Sequence, residues 1–440
     1  MKILCSKKGT VSTVEREMEE KNINRRSFLE RLGSIGALGV AAGAFPWFQA
    51  CTPKATKETK GNKARIGIIG PGSRGQLHIG NLLRIENAEI VALCDNYQVN
   101  LDAAAAMVPG AKLYTDWHAM LENPDIDGVL ITTPLYLHYP MTIEAMEAGK
   151  HVFCEKAMAY TMDQCLDMVH KHKETGKVLI IGQQRLFDPK YLVAMERIRS
   201  GEFGPVVNIH NGWYRNNDWR REVPSPELER HINWRLYREY SRGLMTELAS
   251  HQLQNGTWST GMLPEKVIGT GNIVYWKDGR EVEDSVCCIY TFPNGVNMTF
   301  ESVIANKHMD MVESILCKEA TIAVHDNRIF REHATYKSGM HHLISDIEKG
   351  IFTSSAFAGT SWANDNDKDL RGEEVVEGAV LGAEGDGSLE LMQAFCNSCI
   401  TGEQPENVLE EGYYGSILCL LGDEAILSGN TQYLDKKYIL

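Results

Sequence analysis

Two stretches of the 440-residue chain carry side chains able to move a proton and to steady a developing negative charge. The first, HVFCEKAMA (151–159), places Glu155 and Lys156 at the end of an apolar run. The second, MTELASHQLQNGTW (245–258), sets Glu247 four residues before His251, with Gln254 three residues further on. At helical spacing such side chains share a face. There the Glu247 carboxylate can orient the His251 imidazole, the ring can accept a proton near neutral pH, and the Gln254 amide can donate to a hydroxyl. Oxidation of an alcohol needs these parts: an acceptor for the hydroxyl proton and a cation for the alkoxide. Each group also has an ordinary alternative. Lys156 can be a surface cation paired with Glu155, and Glu247 with His251 an exposed helix pair.

The elements that must position these groups decide between the alternatives. Between residues 64 and 182, apolar runs alternate with helical patterns: strands are expected at 64–70, 89–94, 127–132, 151–156 and 178–182. Thr161 and Gln164 form a capping box at one helix start, and Gly176 supplies its stop. Strands separated by amphipathic helices imply a parallel sheet with right-handed crossovers. Lys156 then lies at the carboxyl end of a strand, beside the crevice where such sheets bind ligands.

The first strand runs into Gly70-Pro71-Gly72-Ser73-Arg74-Gly75 and then a helix. Gly70 permits the tight turn, Gly72 lets backbone approach a pyrophosphate, and Gly75 lets helix pack on strand. The free N–H groups of the helix start, Ser73 and Arg74 among them, face the anion. Asp95 ends the second strand twenty residues after Gly75, where a carboxylate can accept from both ribose hydroxyls. The neighbours Asn96 and Tyr97 are not basic, which favours NAD over NADP; Arg74 keeps the second open.

Further along, TTPLYLHYPMTIEAMEAGKHVFCEKAMA (132–159) resembles the oxidoreductase family of glucose–fructose oxidoreductase and inositol dehydrogenase (Gfo/Idh/MocA). The matching positions are Thr133, Pro134, His138, the run Ala148-Gly149-Lys150-His151-Val152, Glu155 and Lys156. The resemblance continues through Glu247 and His251 and covers about residues 64–430. It implies a Rossmann NAD-binding domain at 64–183 and, over 184–440, an α/β domain with a large, mostly antiparallel open sheet for substrate binding and oligomerisation. It implies catalytic roles for Lys156, His251 and Glu247, and cofactor contacts at Thr133, Pro134, His138, Glu155 and Lys156. A homodimer or homotetramer is expected on the same ground. Two departures stand out: Ala157 replaces the usual proline after Lys156, which argues against a cis peptide there, and Gln254 stands where many relatives carry aspartate.

Candidate substrate contacts are Trp213, Tyr214, Arg215 and Asn217 in HNGWYRNNDWRRE, and Asn233 and Trp234 in HINWRLYREY. Aromatic, amide and guanidinium groups grip a sugar ring and its hydroxyls; the alternative is core aromatics with charges on the opposite strand face. Gln184 and Arg185, just after the last strand, are expected at the nicotinamide pocket, with Gln254 completing the substrate set. The formal charge of −13 and the lack of a long basic block argue against nucleic acid and for a neutral or weakly charged substrate, which the resemblance implies is a small carbohydrate. No metal site is expected: Cys396 and Cys399 read as part of a helix, and His333, His341 and His342 sit in a polar loop. Residues 355–374 read as an exposed loop at the edge of the cleft.

Residues 1–51 have the layout of a twin-arginine export signal: Arg25-Arg26 precede Phe28 and Leu29, then a Gly/Ala-rich stretch too short and broken for a membrane span. Cys51 is a candidate lipid-attachment cysteine, and 52–63 reads as a polar linker. An exported, periplasmic or envelope location follows. Because free NAD is scarce there, the expectation is a tightly bound cofactor restored in each cycle. Two chemistries satisfy it: oxidoreduction at a carbohydrate or polyol hydroxyl, ranked first, and an NAD-dependent redox-neutral glycosidase working by C3 oxidation, elimination, hydration and re-reduction. A non-catalytic sugar or nucleotide sensor is the reading that the proton-transfer set opposes.

Overall fold

The computed structural model describes residues 63–332, 372–379 and 385–440. The leader with Arg25, Arg26 and Cys51, most of the linker, the histidines 333, 341 and 342 and most of the 355–374 loop lie outside the described residues.

Strands β1 (Ala64–Ile69), β2 (Ala88–Cys94), β3 (Lys112–Tyr114), β4 (Gly128–Ile131), β5 (His151–Cys154) and β6 (Leu179–Ile181) form a parallel sheet in the order β3-β2-β1-β4-β5-β6. The chain order reverses between β1 and β4, and the crevice at their carboxyl ends is the switch point where such sheets take ligands. Buried apolar runs make the central strands: all four residues of β4 are buried. β3 was not among the expected strands; its three residues are exposed or half-buried and carry no apolar run. The helix Met162–Thr175 begins with the expected reciprocal Thr161–Gln164 box and stops at Gly176 in the left-handed conformation.

A second sheet follows: β7 (Val206–Tyr214), β8 (Lys266–Asn272), β9 (Ser285–Thr291), β10 (Asn297–Val303), β11 (Met311–Cys317), β12 (Ala320–Ala323), β13 (Arg328–Arg331), β14 (Glu373–Glu374) and β15 (Gln432–Tyr433). Their order is β14-β13-β12-β11-β7-β10-β9-β8-β15, antiparallel except for the β7–β10 pair. Helices Ser250–Thr260 and Val408–Ser428 cover one face. The Tyr290 hydroxyl donates to the Leu418 carbonyl from that face, and Asn211 Nδ2 donates to the Gln252 carbonyl. Residues after 184 are not confined to this layer. Helix Ser388–Thr401, which holds Cys396 and Cys399, buries Leu391, Met392, Phe395 and Cys396 in one apolar cluster with Ile66, Ile68, Leu130 and Phe153 of the parallel sheet.

Candidate active site

At the first crossover Gly70 has φ +80°, and a Cβ there would lie 2.7 Å from Thr133 Cγ2. At Gly75 a Cβ would meet Thr132 Oγ1 at 2.8 Å and the Gly70 carbonyl at 3.0 Å. Both glycines are therefore forced by close approach. Gly72 differs: a Cβ would meet only Asn100 Nδ2, at 3.6 Å, so its outer side is open. It is the N-cap of helix Ser73–Leu82, with no capping side chain and no acid in the first turn. Uncapped N–H donors above an open glycine suit a diphosphate. Asp95 is nearly buried and accepts from the Tyr97 amide at 2.8 Å and Asn100 Nδ2 at 3.1 Å. Burial raises its pKa against those two bonds. This donor and acceptor set fits a dinucleotide.

The other expected cofactor contacts act one layer back. The Arg74 guanidinium turns to Glu155 rather than outward, Nε to Oε1 at 2.7 Å. His78 Nε2 meets the same oxygen at 2.7 Å, and the Lys156 amide donates to Oε2 at 3.1 Å. Burial pushes the Glu155 carboxyl up, but the Arg74 charge and the His78 bond outweigh it and hold the group well below the usual range. Glu155 is thus a fixed anion that braces the turn. His138 has Nδ1 2.8 Å from the Ala157 carbonyl and Nε2 2.9 Å from the Thr133 carbonyl. It ties the Thr133-Pro134 turn to the chain after Lys156. The Lys156–Ala157 peptide is cis, against the expectation for a non-proline residue; the His138 bond to Ala157 and that of Glu155 to Lys156 fix the backbone on either side.

Lys156 Nζ donates to the Glu247 carbonyl oxygen at 2.5 Å, which leaves donors for a substrate oxygen. Burial lowers its pKa, partly countered by Glu247 and Glu155. His251 is buried, and its Nδ1 lies 2.6 Å from Gln183 Oε1. With Nδ1–H donated to Gln183, the ring presents Nε2 as an acceptor. Burial, then the charges of Arg185, Lys156 and Arg74, hold its pKa well below the ordinary histidine value, so the imidazole is neutral.

The expected Glu247–His251 partnership does not form. Glu247 sits in a π-helical turn, Met245–Ala249, and its Oε2 accepts from Arg235 Nε at 2.8 Å, with Ser241 Oγ 3.4 Å from Oε1. Arg235 captures the carboxylate, and Gln183 orients the ring instead. Gln183 stands next to the anticipated Gln184, whose own Oε1 is buried without a partner. Its place directly after β6 was the available signal. Gln254 is fully buried, and its Cβ lies 3.7 Å from where a side chain at Gly415 would begin. It is packed against helix Val408–Ser428.

Several expected substrate contacts are bound up within the protein. Arg185 is ion-paired with Glu313, lies over the Tyr191 ring at 5.0 Å and reaches Met311 Sδ at 2.9 Å. Tyr214 donates to Glu301 Oε2 at 2.9 Å on the sheet face away from the helices. Asn233 is buried, accepting from the Arg221 amide at 2.7 Å and donating to the Arg221 carbonyl and Glu229, both at 3.0 Å. Asn217 Oδ1 closes a turn on the Trp219 amide at 2.6 Å. Trp213, Trp234 and Arg215 are different. They form two exposed or half-buried stacks, Arg215 over Trp213 at 4.6 Å and Arg235 over Trp234 at 4.3 Å.

Comparison with known proteins agrees with this geometry. Residues 64–183 match the family model for an oxidoreductase family with an NAD-binding Rossmann fold, and 191–323 match the model of the Gfo/Idh/MocA C-terminal domain. A Shewanella baltica protein named as a glycosyl hydrolase family 109 protein is 30% identical over 236 residues, 49% of this chain and 50% of its own length. The chain thus spans about half the length of the curated relatives it matches. A WlbA dehydrogenase from Bordetella pertussis, solved with NADH and UDP-GlcNAcA, superposes with a TM-score of 0.66 at 22% identity, over 86% of this chain and 99% of that one. The myo-inositol 2-dehydrogenase of Lactobacillus plantarum gives 0.63 at 19% identity, over 85% and 100%. These two likenesses speak for the fold.

Proposed function

The chain belongs to the Gfo/Idh/MocA oxidoreductase family and carries its NAD-binding Rossmann fold, and on that premise we propose that it oxidises a hydroxyl of a carbohydrate or polyol with an NAD it keeps bound, which is re-oxidised within each cycle by reduction of a second sugar or ketone. The observation that carries the proposal is the neutral His251, oriented by Gln183, in the same electrostatic neighbourhood as the Lys156 ammonium. Gly70, Gly72, Gly75 and Asp95 would hold NAD, which when bound supplies the acceptor for the hydrogen leaving the carbinol carbon. His251 Nε2 takes the hydroxyl proton, and Lys156 Nζ, steadied by the Glu247 carbonyl, faces the oxygen as charge builds on it. Buried Glu155 keeps the backbone of Lys156 in place.

Retention of the cofactor is supported by the segment 229–240, which touches the nucleotide domain at three points. His231 meets the Tyr97 ring edge-on at 5.7 Å, Tyr240 meets Tyr136 at 5.0 Å, and the Tyr160 hydroxyl donates to the Arg238 carbonyl. Tyr97 lies two residues from Asp95, so this strap crosses the ribose end of the groove. A strapped cofactor suits an exported enzyme, the location for which the twin-arginine-like leader speaks; lipidation at Cys51 and homo-oligomerisation belong to the same proposal.

The relatives named for glycoside hydrolysis favour a second reading. A carbonyl at C3 acidifies the C2 proton; its loss expels the C1 substituent, water adds, and reduction resets the site. Incubation of the purified protein with nitrophenyl glycosides and no added cofactor tests both readings. Reduction of the bound nicotinamide, reversed when a second sugar or ketone is added, supports the oxidoreductase; phenol release with no net reduction supports the glycosidase. A protein purified free of dinucleotide and unable to take it up would overturn both.

A further inference from the structure

The segment 215–242 holds seven arginines, and most are neutralised. Arg220 is paired with Glu229 and with Asp278 at 3.1 Å, Arg230 with Glu239 and Glu281 at 3.1 and 2.9 Å, and Arg238 with Glu283 and with Asp423 at 2.8 Å. Arg242 meets Asp423 at 2.6 Å, and Arg235 meets Glu247 at 2.8 Å. Arg215 and Arg221 stand apart: no carboxylate lies within ion-pair distance of either guanidinium among the described residues. Both are exposed, yet both are held. Arg215 is laid over Trp213, with its amide donating to the Val303 carbonyl at 2.8 Å. Arg221 is fixed through both backbone polar groups by the buried Asn233 side chain.

Their placement ties them to the reacting groups. Asn233, which anchors Arg221, immediately precedes Trp234 and Arg235; Arg235 Nε bonds the Glu247 carboxylate, and the Glu247 carbonyl receives Lys156 Nζ. Trp213, under Arg215, pairs in register with Met311, whose sulfur touches Arg185. Partial desolvation by the packed neighbours lowers the pKa of Arg215, with Asp310 opposing and Arg235 adding to the fall; partial desolvation and then Arg235 lower that of Arg221. Both thus feel the Arg235 charge as repulsion. Two guanidinium groups without a carboxylate partner beside two half-buried tryptophans, in a chain of net charge −13, form a local positive field that the bulk charge conceals.

We propose that the carbohydrate of this site is anionic, a hexose bearing a carboxylate or a sulfate ester, and that Arg215 and Arg221 receive that group. The inference rests on the carbohydrate-oxidation reading above and sharpens its substrate class. It replaces the neutral or weakly charged substrate suggested by overall charge. The indole faces of Trp213 and Trp234 cover the apolar side of the ring while the guanidinium forks take the anion.

The test uses the purified protein with its co-purifying cofactor and matched nitrophenyl substrates: glucoside against glucuronide, galactoside against galacturonide, and galactoside against a sulfated galactoside. Reduction of bound nicotinamide and aglycone release are followed together. The expected result is a higher kcat/KM for at least one anionic member than for its neutral partner, carried by KM and weakened by added salt. The uronate and sulfate arms separate the two anion chemistries. Arg215→Gln and Arg221→Gln should each lower the anionic-to-neutral ratio about tenfold, and Arg215→Lys and Arg221→Lys should restore part of it, which guards against misfolding as the cause. Equal or better turnover of the neutral members, or a ratio unmoved in the glutamine variants, overturns the anionic assignment and leaves the redox reading standing. Silence from every substrate in both readouts removes the redox reading, and this inference with it.

Discussion

The two sides of the cleft are built in different ways. On the dinucleotide side the candidate ligand groups are backbone amides and open glycine surface, set by one strand, one turn and one helix within residues 64–82, with Asp95 added from the next strand. On the substrate side they are long side chains whose positions depend on distant partners. His251 is aimed by Gln183, 68 residues away, and Arg185 is fixed by Glu313, 128 residues away. A site made of backbone is specified by local sequence and tolerates few side chains. A site made of side chains is specified by pairing, and each member has a second possible partner in sequence. Glu247 illustrates this: His251 is four residues off, yet Arg235 takes the carboxylate.

The largest effect that could break the comparison is on the substrate side. His251→Ala should lower kcat by about a thousandfold, the range of positioned proton transfer, while the amount of co-purifying NAD stays constant by absorbance and mass. Loss of NAD from this variant would show the two sides to be one unit. The wild-type pH profile sharpens the point. Because the His251 pKa lies below the ordinary value of about 6.5, the ring stays unprotonated as pH falls through that value. So kcat/KM should show no inflection there and decline only at lower pH. On the alkaline side the lowered Lys156 pKa brings loss of the ammonium, and of activity, below the free-lysine value of about 10.5.

Next in size is Gly72→Ala. The added methyl meets nothing closer than Asn100 Nδ2 at 3.6 Å, so the fold is untouched and the melting temperature of the cofactor-free protein unchanged. The methyl does stand where a diphosphate would press on backbone, and NAD affinity should fall about tenfold or more, a loss of ~1.4 kcal/mol. A variant that binds NAD normally would mean that the pyrophosphate does not cross Gly72.

The same contrast explains what was legible in the sequence. The turn, Asp95, the capping box and the alternation of strands and helices are local patterns, and each stands where expected. β3 escaped because three exposed or half-buried residues leave no pattern. Glu155 was singled out but not its role, because Arg74 and His78, 81 and 77 residues distant, make it a brace rather than an acid. Gln183 was missed by one position. An amide among aromatics has the chemistry of a sugar contact, yet at Asn233 the backbone of Arg221 consumes it. Asn233→Ala should therefore cost about 1–3 kcal/mol of stability, the penalty for stranding buried polar groups, measured by denaturant unfolding. A variant of full stability with a raised KM would restore Asn233 to the sugar.

Strand geometry alone separates two of the candidate substrate contacts. Trp213 and Tyr214 are consecutive in β7, and consecutive strand residues point to opposite faces, so they could not both line one pocket. The register separates them: Trp213 pairs with Met311, which touches Arg185, whereas Tyr214 crosses to Glu301 on the far face. Tyr214→Phe should remove one hydrogen bond to a carboxylate and about 1 kcal/mol of stability, without a change in kcat/KM. Trp213→Leu keeps an apolar residue in the strand but removes the stacking face beneath Arg215, and should raise KM severalfold with kcat held. If the tyrosine variant moves KM and the tryptophan variant does not, the substrate lies on the other face of the sheet, and the division of the cleft into a backbone-made and a side-chain-made half is wrong.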